Sequence, residues 1–181
     1  GLFMKAHAAD AGVLYIIDSI GGTPESVTED CTDSAGGWSY DAGTATLTLD
    51  GFQGEYIEAN GDINIVLKGK NKITISAEST EGIKSTGKVT IDDTISPVQD
   101  CLDIYCNDGT ESVSMIYTGG FGADYATYIV GGTVNLVEEN TRRRYVTGIS
   151  RWAYVENDAS LNINLSADGG RNGAAALLNL N

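Results

Sequence analysis

Branched apolar residues alternate with Thr, Asn or Ser in short runs along the chain, the period-2 pattern of strands that bury one face. The clearest runs are Leu47-Thr48-Leu49, Ile63-Asn64-Ile65-Val66-Leu67, Ile73-Thr74-Ile75 and Val89-Thr90-Ile91. Val113-Ser114-Met115, Val134-Asn135-Leu136 and Leu161-Asn162-Ile163-Asn164-Leu165 follow. Small-polar steps introduce several of them, as in Gly61-Asp62-Ile63, Gly87-Lys88-Val89, Gly132-Thr133-Val134 and Ala159-Ser160-Leu161. A helical period is confined to one short candidate, Ala174 to Leu178.

The runs recur. With Leu47, Ile63, Val89, Val113, Val134 and Leu161 taken as equivalent, the interval is roughly 16 to 27 residues and about 23 on average, the size of a solenoid repeat. A second element precedes the turns: Glu55-Tyr56-Ile57, Gly82-Ile83-Lys84, Tyr128-Ile129-Val130 and Ala153-Tyr154-Val155. Strands paired with their equivalents above and below would join these apolar residues into ladders. The expected fold is therefore all-β, a single-stranded right-handed parallel β-helix, since crossovers between parallel strands are right-handed. Asn60-Gly61, Asp50-Gly51 and Asp108-Gly109 are hairpin-type turns, so a β-sandwich is the alternative. Gly69 is placed to bend the chain beside Asn71, whose amide would turn inward and satisfy backbone groups. One domain over 10–181 is expected, with 10–36 and 166–181 as caps and 37–165 as the repeat. Trp38 and Tyr40 are expected to seal the N-terminal cap.

Composition narrows the function. The 181 residues include 23 Gly and 2 Pro, are 41% hydrophobic, and carry a net charge of −14. That balance argues against a nucleic-acid partner, and no apolar run is long enough to span a membrane. One His and three Cys rule out a His-rich zinc site and a four-cysteine cage. Cys31, Cys101 and Cys106 allow at most one intrachain disulfide. Cys101 and Cys106 stand too far apart along a straight strand to bond, though a turn would bring them together. In residues 1–9, Ala6-His7-Ala8 after Leu2, Phe3 and Met4 reads either as the end of a signal peptide or as a disordered Ala-rich tail. Gly1 in place of an initiator Met points to residues upstream. Export would place the protein outside the cell or on a bacterial surface.

Two stretches resemble known sequences. Gly37-Trp38-Ser39-Tyr40-Asp41, Thr44-Ala45-Thr46-Leu47-Thr48-Leu49, Gly51-Phe52 and Asn60-Gly61-Asp62-Ile63 resemble a motif of secreted repeat proteins from anaerobic gut bacteria. Glu81-Gly82-Ile83-Lys84-Ser85-Thr86-Gly87-Lys88-Val89-Thr90-Ile91 is similar to the repeat of a carbohydrate-binding parallel β-helix family with a pectate-lyase-like fold. The likeness covers residues 37–91, and Thr86 and Lys88 stand where that family has acidic residues. It implies a secreted module that binds plant cell-wall polysaccharide and calcium without catalysis.

Candidate chemistry is spread widely. Asp92, Asp93, Asp100 and Asp103, with Asp108 and Glu111 close behind, could supply paired carboxylates or calcium ligands, or form a solvated loop. Asp92 and Asp93 are adjacent, so a strand would point them to opposite faces. A lyase would need a base, for which Lys84, Lys88 and Arg142 are candidates. Lys68, Lys70 and Lys72 share a solvent face if that segment stays extended. Arg142-Arg143-Arg144 could grip an anionic sugar or merely balance the acidic surface. Aromatic rings stack on sugar faces, and Tyr125, Tyr128, Tyr145, Trp152 and Tyr154 crowd the C-terminal half, with Tyr128 and Tyr154 expected as neighbours. Tyr125, Tyr128, Arg142, Tyr145, Trp152 and Tyr154 are thus the candidate carbohydrate-binding residues. The rival functions are a structural or adhesive surface module and a polysaccharide lyase or glycoside hydrolase.

Overall fold

A computed structural model describes residues 13–94, 100–138, 142–156 and 158–165 in full, together with the backbone of the strands at 3–4 and 173–180. The possible signal segment at 1–9 and the stretch 166–172 otherwise lie outside the described residues.

The described residues are all-β, with one 3-10 turn among them at Ala123–Tyr125. Its first part pairs antiparallel: β1 (Phe3–Met4), β2 (Leu14–Ile17) and β3 (Glu25–Val27) in one group, β4 (Cys31–Asp33) and β5 (Trp38–Asp41) in another. The described strands from Thr46 onward pair with one another in parallel. The antiparallel section therefore runs to Asp41, past the expected cap boundary at 36. Trp38 and Tyr40 are buried in it.

The parallel strands fall into three arrays, and the chain visits them in turn. The first holds β6 (Thr46–Asp50), β9 (Ile63–Lys68), β12 (Val89–Asp93), β15 (Thr127–Ile129) and the end of β17 (Tyr145–Val155). The second holds β7 (Gln53–Gly54), β10 (Lys70–Ile75), β13 (Cys101–Cys106), β16 (Gly132–Glu138) and β18 (Ala159–Leu165). The third holds β8 (Tyr56–Ala59), β11 (Glu81–Ser85), β14 (Val113–Thr118), the start of β17 and β19 (Gly173–Leu180). β2 lies antiparallel on the free side of β8, and β5 on that of β6. Inward residues in register make continuous apolar rows, such as Ile73–Ile104–Leu136–Ile163 and Ile57–Ile83–Ile116–Ile149.

Three expectations change. The six residues taken as equivalent belong to different arrays: Ile63 and Val89 are partners in the first, Val134 and Leu161 in the second, and Val113 faces Val146 in the third. The sequence interval averages over strands that belong to three different arrays. Ala174 to Leu178 is not helical but part of β19, because pairing with β17 satisfies its backbone across the strand. Lys68 ends β9, while Lys70 and Lys72 belong to β10; Gly69, at φ +68, breaks the extended run between them.

Side chains fasten the bends. Asn71 is buried; its Oδ1 accepts from Phe52 N at 2.9 Å and its Nδ2 donates to the carbonyls of Lys68, Gly69 and Cys101. Asp100 accepts from Gly69 N, Thr94 N and Thr94 Oγ1. At the bend before β17, Arg143 is fully buried. Its guanidinium donates to the carbonyls of Ser76 (2.6 Å), Asn107 (2.8 Å), Ser79 (2.9 Å) and Glu111 (3.3 Å), joining loops from three levels of the stack. Cys31, Cys101 and Cys106 form no disulfide among the described residues, the last two standing at opposite ends of β13.

Candidate functional site

The bends between the third and first arrays are short after β8 and β11. After β14 the chain instead makes a longer excursion, Gly119-Gly120-Phe121-Gly122-Ala123-Asp124-Tyr125-Ala126, before β15 begins. The excursion carries two exposed rings: Phe121 is 69% exposed and Tyr125 40%. Tyr125 lies on Gly120, where a Cβ would come within 2.7 Å of the ring, so the glycine is what lets the ring sit there.

β17 crosses the same bend one level on, with Arg151 in the left-handed region at φ +76. Its guanidinium lies 4.2 Å over Phe121 and 5.5 Å over Tyr117, and it reaches the Tyr117 hydroxyl at 3.4 Å. The Nε of Arg151 is buried with no hydrogen-bond partner among the described residues. Just beyond, Tyr154 stacks on its register partner Tyr128, centroids 4.7 Å apart and planes 6° from parallel. Trp152 tilts against Tyr154 at 6.4 Å. The Tyr128 hydroxyl donates to Ala123 O at 2.8 Å, tying the excursion to the sheet. Burial, then Tyr154 and Asp124, push the Tyr128 phenol above its ordinary value, so it remains a neutral donor. Lys88 stands 5.7 Å over the Tyr128 ring.

Three of the six candidates, Tyr128, Trp152 and Tyr154, therefore meet at one corner, and Tyr125 stands on the excursion that the Tyr128 hydroxyl ties to it. Tyr128 and Tyr154 cover each other's faces, so the exposed ring surface comes mainly from Phe121 and Tyr125. Arg142 and Tyr145 lie elsewhere. Arg142 donates to Asp108 through its backbone N and its Nε, holding the Asp108 carboxyl below its usual range. Tyr145 is 43% exposed with Arg144 over its ring. With Arg143 buried, the Arg triplet is not a joint anion grip, because each member does a different task. Phe121, Tyr117 and Arg151 were missed by sequence reasoning. The signal available was the Gly-rich break in alternation at 119–122, which marked an excursion without saying what it faced.

The acidic region is also rearranged. Asp92 and Asp93 do not diverge: at the end of β12 both carboxylates close on Gly131. Burial, then the Asp92 charge, raises the Asp93 pKa. Asp100 and Asp103 are engaged in internal hydrogen bonds, the latter with Asn135 Nδ2. Among the described residues, the carboxylates grouped closely enough to hold a cation are instead Asp18, Glu25 and Asp33, whose oxygens lie within 4.8 Å of one another. Asp18 and Asp33 accept from Trp38 Nε1 and Gly36 N respectively. Calcium takes six to eight oxygens, so these three carboxylates would need bidentate contacts, carbonyls or water to complete a shell.

A shallow groove of about 490 Å³ opens on the outer face of β4, β5 and β6, lined by Thr and Ser hydroxyls with Asp30 and Asp41. No described helix is long and apolar enough to cross a membrane. Comparison of the chain with protein-family models, with curated proteins and with solved structures gives no match.

Proposed function

We propose that this chain is a right-handed parallel β-helix, three strands to a turn, that acts as a secreted or cell-surface polysaccharide-binding module without catalysis. In-register parallel pairing through three arrays supports the solenoid over a sandwich, in which antiparallel neighbours would dominate. The likeness of residues 37–91 to a carbohydrate-binding repeat supports the ligand class. The single observation that carries the binding site is the aromatic corner, where Phe121 and Tyr125 stand in solvent on a frame of Tyr128, Tyr154, Trp152 and Arg151. Rigid rings bind sugars at small entropic cost. The carboxylates of Asp100, Asp103 and Asp108 serve internal bonds, which favours binding over hydrolysis or elimination.

Affinity electrophoresis through gels containing soluble β-glucan, xylan, mannan or polygalacturonate tests this. The wild type should be retarded in at least one gel, and a Phe121→Ala/Tyr125→Ala variant should not. No retardation in any gel refutes the reading. One observation favours a structural or adhesive module: the amides of Asn162 and Asn135 link with Asp103 in an outward ladder that stiffens the stack and needs no ligand.

A further inference from the structure

The outer face of the first array carries a second feature that the aromatic corner does not account for. Asp41, Thr46, Asn64, Thr90, Tyr128 and Tyr154 are mutual register partners on six neighbouring strands, and none of them is buried. They form one straight row across the strands, and at the usual strand spacing it is roughly 24 Å long. Its Tyr end is the aromatic corner. Its Asp41–Thr46 end is the wall of the hydroxyl-lined groove. Between them stand only Asn64 and Thr90, too short to block passage. Thr44, Thr46 and Thr48 crowd the groove side, and Asn64 Nδ2 is held against Thr44 O at 3.2 Å.

We infer that the ligand is a neutral, extended polysaccharide chain lying across the strands, with the groove of β4–β6 as a second subsite joined to the aromatic corner by this row. The inference rests on the polysaccharide-binding reading above. Three features carry it. The row offers a polar side chain at each strand step, and a strand step is close to the length of one sugar unit in an extended chain. The groove supplies hydroxyl donors and acceptors suited to sugar hydroxyls. The charged side chains lining the groove, Asp30 and Asp41, are both acidic, and they repel a uronate polymer but not an uncharged one.

Isothermal titration of the whole chain with cello-, xylo- and manno-oligosaccharides from disaccharide to octasaccharide, and with oligogalacturonides, tests it. For at least one neutral series, affinity should rise tenfold or more from disaccharide to hexasaccharide and then level off. Asn64→Arg, which plants a long charged side chain at an exposed point of the row, should lower hexasaccharide affinity at least tenfold; Asn64→Ala should lower it less. Circular dichroism and thermal melting establish that both variants fold. If binding is independent of length, or Asn64→Arg binds the hexasaccharide like wild type, this inference falls while the aromatic corner stands. Oligogalacturonides binding as tightly as the neutral series overturn the assignment of ligand charge. If no oligosaccharide and no polysaccharide gel binds the protein, the functional reading itself falls, and this inference with it.

Discussion

Removal of the Arg143 guanidinium should be among the most damaging single changes in this chain. The side chain is fully buried, and it donates to four carbonyls, those of Ser76, Ser79, Asn107 and Glu111, from two loops outside its own. A buried acceptor left without a donor costs about 1–3 kcal/mol. Four at the low end give roughly 4 kcal/mol for Arg143→Ala, with water entering the vacated space to meet part of the demand. Arg143→Met keeps most of the packing volume but restores no donor, so it should cost nearly as much. Arg143→Lys retains a charge and three N–H groups without the planar fork, and about half of the loss should return. For a chain of this size 4 kcal/mol is about 8–16 °C in melting temperature. Urea unfolding followed by the fluorescence of buried Trp38 and half-buried Trp152 reads the change near both ends of the stack. A loss under about 1 kcal/mol in Arg143→Ala, or Arg143→Met equal to wild type, would show that the carbonyls do not depend on this side chain.

Other outcomes follow from the same bends. Asn71→Leu removes the acceptor for Phe52 N and the donor for three carbonyls, and should cost about 2–4 kcal/mol in urea unfolding. Burial raises the Asp100 pKa, but hydrogen bonds from Thr94 and Gly69 outweigh it and the net shift is downward. Its stabilising contribution is present above the ordinary carboxyl range and is lost as pH falls through the lowered value. The melting-temperature gap between wild type and Asp100→Asn should therefore be full at pH 7 and close on acidification. Asp93 is shifted the other way, by burial and then Asp92, so Asp93→Asn should stabilise at neutral pH and lose that advantage as pH falls through the raised value. Gly109→Ala would set a Cβ 2.5 Å from Ala77 O and 2.9 Å from Arg143 Cζ, and should lower the melting temperature by several degrees. Arg142→Ala, by contrast, breaks a solvent-exposed pair and should leave the melting temperature within error.

The alternation of Ile, Val and Leu with Thr and Asn was enough to reveal an all-β chain with one buried face per strand, because side chains on a strand can point only two ways. It also brought Tyr128 and Tyr154 together, since each lies in the element just before a small-residue turn, and it identified Asn71 beside Gly69 as a bend amide. What a local pattern could not give was the array to which each strand belongs: Val113, Val134 and Val89 look alike, yet each faces a different neighbour. That choice is made by register over dozens of residues. The fates of charged groups were equally non-local. Arg142 and Arg143 are neighbours in the chain, but one sits in solvent with Asp108 and the other is enclosed by carbonyls of distant loops. The burial that separates them, like the exposure of Phe121 over Arg151, exists only once successive levels lie on one another, and so it belongs to the tertiary structure alone.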